Sequence, residues 1–192
     1  MIRKLYDWTM SLAVTPYALW ALAVVSFIES SVFPIPPDVM LIPMVIAAPH
    51  RAFLIAGVCT LASVAGGAFG YWIGYALYES VGLPVLEFYG KTDQFDDFAA
   101  RYNQWGAWAV IAGGVTPLPY KLFTILSGST GLNFTVFIVA SLVARGLRFF
   151  VVAALLWKFG EPIRDFIEKR LGLMFTLFCV LLIGGFAVLR YL

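Results

Sequence analysis

Charge is scarce in this sequence. Asp, Glu, Lys and Arg make up 12% of its 192 residues, against about 25% in a soluble domain. Hydrophobic residues reach 61% and mean hydropathy is +0.89, which argues against a water-surrounded globule and predicts an integral membrane chain. Its apolar stretches are long and continuous, so the spans read as helices rather than the short alternating strands of a barrel. A net charge of +2 is too small to suggest a nucleic-acid partner. One His and two Cys leave too few ligands for a structural zinc site, and Cys59 and Cys179 fall within apolar runs, where small buried hydrophobes are expected. There is no Ser-His-Asp set, no HExxH and no paired-Asp cluster within one segment. An enzyme is therefore not expected, and neither a cofactor nor a metal is.

The apolar runs divide a single integral-membrane domain over 1–192. Residues 1–13, with two cations, one acid and a Trp, read as an interfacial helix. Residues 17–79 contain a first span, from about Tyr17 to Phe33, then a proline-rich break and a short apolar arm. A long small-residue helix follows, from Ala52 to Leu77. The arm holds about ten apolar residues, too few for a crossing that takes about 20. In the long helix Gly66, Gly70 and Gly74 continue from Ala62 at spacings of four, a face on which a second helix can approach closely. Residues 80–105 turn polar and read as a loop plus an amphipathic surface helix. Residues 106–157 hold a second proline-broken segment and a span from about Phe134 that carries two arginines. Residues 171–190 carry no internal charge until Arg190 and read as a structural or oligomer-contacting last span. His50, beside Pro49, is expected at an interfacial turn. With the N-terminus placed inside, Arg3, Lys4, Lys91, Arg101 and Arg190 face one side and Arg51, Lys158, Arg164, Lys169 and Arg170 the other, so the positive-inside rule gives no orientation.

The two broken segments share a pattern. Pro34-Ile-Pro36-Pro37-Asp38 and Pro117-Leu-Pro119-Tyr-Lys121 are both Pro-x-Pro-x-charge, 83 residues apart. Paired broken segments in the two halves of a membrane chain are the sign of repeat-built transporters. The expected fold is all-α and polytopic, with two opposed re-entrant hairpins from an inverted repeat. Freed carbonyls at such breaks are tolerated only against protein or a wet cavity. Asp38 and Lys121, at equivalent places, are expected to pair across the repeat.

Five ionisable residues lie in apolar segments: Glu29, Asp38, Lys121, Arg145 and Arg148. An unpaired charge at the centre of a span costs about 2.5–3.5 kcal/mol on insertion scales, so these should pair or meet water. Two acids against three bases leave one surplus cation, which suits a pocket that receives an anion. Arg145 and Arg148 lie on one helix face, and the guanidinium fork matches a phosphate. Glu29 reads as a proton carrier, with the buried partner of an arginine as the alternative.

"FIESSVFPIPPDVMLIPM", the small-residue helix after it and "GGVTPLPYKLFTILSGSTGLNFTVFIVASLVARG" together resemble the DedA family, also called the VTT-domain or SNARE-associated Golgi protein family, in its YqaA-like branch. The resemblance covers about residues 20–160 and includes the Gly-x-x-Gly from Gly128 to Gly131. It implies a multi-pass protein of the bacterial inner membrane with two facing re-entrant hairpins. It also implies a scramblase or flippase that moves undecaprenyl phosphate or phospholipid between leaflets, coupled to the proton gradient. On that resemblance Glu29 and Asp38 take the place of the family's gating acids. Lys121 stands where a hairpin arginine is expected, and Val115 or Thr116 stands near the place of a second. The partners implied are membrane lipids and protons. Two other functions fit the residues: a proton-coupled transporter of a small ion or drug-like cation, and a membrane protein whose charges only hold its hairpins together.

Overall fold

In a computed structural model the described residues are 17–32, 36–116, 119–160 and 162. They are helical, with no β-strand among them. The interfacial helix expected over 1–13, the last span expected over 171–190, Pro34, Pro117 and Cys179 lie outside the described residues.

The elements are α1 (Ala18–Ser31), α2 (Asp38–Ala47), a 3₁₀ turn (Pro49–Arg51), α3 (Ala52–Leu77), a π-turn (Tyr78–Gly82), α4 (Leu83–Phe88), α5 (Thr92–Val115), α6 (Tyr120–Ser129) and α7 (Phe134–Gly160). Two stretches are long and apolar enough to cross a membrane: Pro49–Phe88 and Phe134–Gly160. At about 1.5 Å per residue, α1 is only about 21 Å long, short of a hydrocarbon core of about 30 Å.

Helix α3 is the axis around which the rest packs. Ser26 bonds Cys59 and Ser30 meets Ser63, so α1 and α3 run in the same direction. Helix α2 returns alongside both, joining Ala18, Leu22, Leu41, Val45, Ile55 and Cys59 in one buried cluster. From the other end, α5 and α6 form a second antiparallel pair: Tyr102 meets Ser127, Asn103 meets Thr130, and Gly113 lies under Phe123. Helix α6 then runs alongside α3, with Tyr120 near Gly67, Thr124 at Gly70 and Ser129 bonded to the Gly74 carbonyl. The helix ends that flank the two breaks, at Val32 and Pro37 and at Thr116 and Pro119, therefore come together beside the middle of α3. Helix α7 runs antiparallel to α3 and closes the bundle, from Phe137 against Tyr71 to Phe150 stacked on Phe53 and Trp157 tilted against it.

The glycine face works as its spacing predicts. A Cβ on Gly66 would overlap the Phe27 carbonyl, one on Gly70 would overlap the Thr124 hydroxyl, and one on Gly74 would overlap the Ile125 carbonyl. Gly128 answers from α6, where a Cβ would overlap the Tyr71 carbonyl. The second glycine of the Gly-x-x-Gly has a different reason. Gly131 has φ +66, and the N–H groups of Gly131 and Leu132 bond the carbonyls of Gly128 and Ser127. That double bond pattern is a left-handed C-terminal cap, which favours glycine. Asn133 then caps the next helix, its Oδ1 accepting from Thr135 and Val136.

Two expectations are corrected. Residues 80–105 are not a loop joined to a separate surface helix. The α3 helix continues through a π-turn, which lies just before Pro84 and gives room to its ring and missing donor. After the turn at Gly90, α5 joins the polar and apolar parts in one 24-residue helix. Polarity alone did not break the helix, because Phe95, Phe98 and Tyr102 still form one face of aromatic contacts, and Tyr78 stacks on Phe95 to extend it. The orientation count also changes. Because α1 and α3 start at the same end, Tyr17 and Arg51 lie on one side of the bundle and not on opposite sides.

Gly66→Ala should cost about 1–3 kcal/mol through overpacking, whereas Gly57→Ala, where nothing lies within 4 Å, should be neutral or gain about 0.5–1 kcal/mol. Thermal unfolding in detergent micelles checks the pair. Equal midpoints for the two variants would contradict the close backbone approach.

Candidate functional site

Two ion pairs sit where the breaks meet. The deeper one joins Glu29 on α1 to Arg145 on α7, at 2.9 Å, with side chains 14% and 2% exposed. The outer one joins Asp38 at the start of α2 to Arg148 on α7, at 2.7 Å, with side chains 19% and 22% exposed. The three-residue spacing of the arginines puts both on one face of α7, one turn apart. The carboxylates come from the two arms of the first helix pair.

The deeper pair is closed into a ring. Arg145 Nε donates to Ser63 Oγ at 2.6 Å. Ser63 and Ser30 hydroxyls meet at 2.7 Å, and Ser30 donates to Glu29 Oε2 at 3.1 Å. Each hydroxyl has one proton, so the direction is fixed: Arg145 to Ser63, Ser63 to Ser30, Ser30 to Glu29. The guanidinium also lies against two rings, 4.9 Å from the Tyr120 centroid and 4.6 Å from that of Phe149, contacts that favour a cation. Tyr120 is itself buried and donates to Ser141. A charge this deep is tolerated because it is paired and hydrogen-bonded.

The outer pair is built from helix ends. Asp38 lies in the first turn of α2, where the helix dipole favours an anion. Arg148 spans both breaks: Nη2 donates to Asp38, and Nη1 donates to the Thr116 carbonyl at 3.0 Å, at the C-terminal end of α5. Lys121, in the first turn of α6, is poorly placed for its own helix dipole. Its ammonium instead reaches the Val32 carbonyl at the end of α1, at 3.3 Å. Each break thus gives up a carbonyl, and a cation from the second half of the chain receives it.

The expected Asp38–Lys121 pair does not form. Arg148 takes Asp38 because its fork bridges carboxylate and carbonyl at once, and Lys121 serves the end of α1. The surplus cation among the five charges of the apolar segments is therefore Lys121, the one that holds only a backbone carbonyl. For Glu29 the arginine partner is realised. Pro37 is the N-cap residue of α2 and Pro119 that of α6; Pro36 accepts a bond from Val39 at the same turn. Ser30, Ser63, Tyr120 and Phe149 complete the site and were not singled out in the sequence; Thr116, named there only for its place near a hairpin arginine, enters through its backbone carbonyl. The signal available was the set of hydroxyl residues inside otherwise apolar helices, Ser26, Ser30, Ser31, Thr60 and Ser63, of which Ser26, Ser30 and Ser63 bond across helices while Ser31 and Thr60 bond back within their own.

Removing Arg145's partner should be costly. Glu29→Leu leaves a buried guanidinium unpaired and should destabilise by about 3–5 kcal/mol. Adding Arg145→Met to it should recover most of that loss, because the orphaned charge goes with it. Unfolding of the two single variants and the double variant in micelles checks this, and simply additive losses would show that the two residues are not coupled.

No family model matches this sequence, and no solved structure matches it. A Haemophilus influenzae protein described as an uncharacterized protein is 34% identical over 186 residues, 97% of this chain and 96% of that one. A Histophilus somni protein described as an uncharacterized homologue of HI0703 is 39% identical over 168 residues, 85% of this chain and 87% of its own length. Identity of this level over nearly the whole length of both chains means a common fold, and the chain belongs to the same family as these Haemophilus and Histophilus proteins.

Proposed function

We propose that this chain is a multi-pass protein of the bacterial inner membrane, of the DedA type, that moves a phosphate-bearing lipid between leaflets. The observation that supports this best is the meeting of two proline-broken helix pairs at two ion pairs against the middle of α3. In a bilayer these pairs are re-entrant hairpins entering from opposite faces. Helix α1 is too short to cross and α2 returns to the end where α1 began; from the other end α6 returns along the second, apolar half of α5, from Val115 back to the level of Tyr102 and Asn103. Paired broken helices of this kind place substrate sites near the midplane.

The two ion pairs divide the work. Glu29 and Arg145 form the closed, rigid part, which holds α1 to α3 and α7. Asp38, Arg148 and Lys121 form the working part. Each of these two cations holds a backbone carbonyl, and a phosphate is a stronger partner for both than a neutral carbonyl. An arriving headgroup phosphate takes Arg148 from Asp38 and Thr116 and takes Lys121 from Val32, and the tips separate enough to pass it. The guanidinium of Arg148 lies at Thr116, near the place where the family resemblance expects a hairpin arginine, so α7 supplies the fork that the hairpin lacks. Asp38, once released, is free to take a proton, which couples passage to the proton gradient. Undecaprenyl phosphate and glycerophospholipid both carry the phosphate this reading requires.

Reconstituted in liposomes, the protein should speed leaflet exchange of fluorescent phospholipid or polyprenyl phosphate. Arg148→Ala should slow it about tenfold or more, equivalent to about 1.4 kcal/mol of lost stabilisation, and Arg148→Lys should recover part of the rate. Wild-type exchange no faster than in empty liposomes would sink the proposal. Normal exchange in Asp38→Asn, with its dependence on a pH gradient intact, would remove Asp38 from the coupling.

A further inference from the structure

Away from the tips, a groove of about 410 Å³ opens between the C-terminal end of α2 and the last turns of α7, lined by Ile46, Pro49, Leu156, Trp157 and Lys158 among others. Its chemistry is mixed. Leu156 is buried and Trp157 is 56% exposed. Lys158 is exposed, with its ammonium 5.5 Å from the Phe159 ring centroid. Pro49 begins the 3₁₀ turn that ends in His50 and Arg51, both exposed. From the groove a strip of aromatic side chains, Trp157, Phe53 and Phe150, runs along the outer seam of α3 and α7 towards the middle of the bundle.

Among the described residues the charge on the two ends of the bundle is unequal. At the groove end the described basic side chains are His50, Arg51 and Lys158, with Tyr17 beside them and no carboxylate among the described residues; Glu161, next along the chain, lies outside them. At the far end Glu79, Glu87, Asp93, Asp96 and Asp97 outnumber Lys91 and Arg101. An amphipathic groove with an indole wall, a cationic rim and an apolar track leading down from it has the parts needed to hold one lipid: phosphate, glycerol region and chain. Indole rings favour the headgroup level of a bilayer, and basic residues there attract anionic headgroups.

We propose that this groove is a headgroup site for an anionic phospholipid. Lys158 contacts its phosphate, Trp157 forms the wall beside its glycerol region, and His50 and Arg51 are the rim charges. The acyl chain lies over Phe53 and Phe150. The inference rests on the chain being embedded in a bilayer but not on its moving lipid, since the groove shares no residue with the ion pairs at the tips. Such a site ties the groove end of the bundle to the leaflet richer in anionic lipid.

Tryptophan quenching tests it. With Trp157 kept and Trp8, Trp20, Trp72, Trp105 and Trp108 changed to Phe, the protein is placed in phosphatidylcholine vesicles doped with brominated phosphatidylglycerol or, at the same mole fraction, brominated phosphatidylcholine. Trp157 should be quenched preferentially by the anionic lipid, with a local enrichment of roughly fivefold for each of Lys158 and Arg51. Lys158→Gln should lower that preference about fivefold, while Lys158→Arg keeps it and leaflet exchange is unchanged in both. Equal quenching by the two lipids would overturn the site, as would displacement of the brominated phosphatidylglycerol by inorganic phosphate, which would mean the groove reads a free anion. Quenching by neither lipid would overturn the site and the membrane reading together. Anionic preference in a protein that shows no exchange would leave the site standing and refute only translocation.

Discussion

The guanidinium of Arg148 holds the two breaks together. Breaking a helix with proline frees carbonyls that an apolar setting does not satisfy, and each orphaned group there costs several kcal/mol. One side chain from α7 answers both halves at once, taking the carboxylate at the start of α2 and a carbonyl at the end of α5. Lys121 completes the scheme at the end of α1. The tips can meet at mid-bundle only because these cations stand where the chain has no hydrogen bonds of its own.

That arrangement depends in turn on how closely the backbones approach. Glycines on α3 let Phe27 and Ile125 bring their carbonyls onto the helix, which sets the depth of α1 and α6. At that depth Ser30 meets Ser63, and Glu29 meets Arg145. The inner ring is directional and closed, with each hydroxyl giving one bond and taking one. The outer pair is about 20% exposed and leans on a carbonyl. The same chemistry, carboxylate with guanidinium, thus yields a buried, closed pair at one level and a partly exposed one a helical turn away. Burial and the number of partners make the difference.

Much of this was legible beforehand. The fourfold glycine spacing gave the packing face of α3, and the proline breaks gave the ends of α1, α2, α5 and α6. The three-residue spacing of Arg145 and Arg148 gave their common face. The partner of Asp38 was not legible. The repeat suggested Lys121 by symmetry, but pairing depends on the register of α7 against the tips, and no local pattern carries that register. The helical course of residues 80–105 was hidden for another reason: polar composition says where a chain meets water, not whether its backbone hydrogen bonds continue. The hydroxyls of the inner ring were visible as residues, but not as a ring, since their contacts join positions 33 and 82 residues apart.

The central claim is that both tips lie deep in the bilayer and still meet water. Spin labels placed singly at Val32→Cys and Val115→Cys, in a background lacking Cys59 and Cys179, report depth through collision with oxygen and with a water-soluble nickel complex. The account predicts that both labels lie near the bilayer centre by oxygen exposure, yet collide with the nickel complex far more than a lipid-facing label at Leu61→Cys does. Labels at headgroup depth, or labels at the centre as shielded from nickel as the Leu61 control, would contradict it.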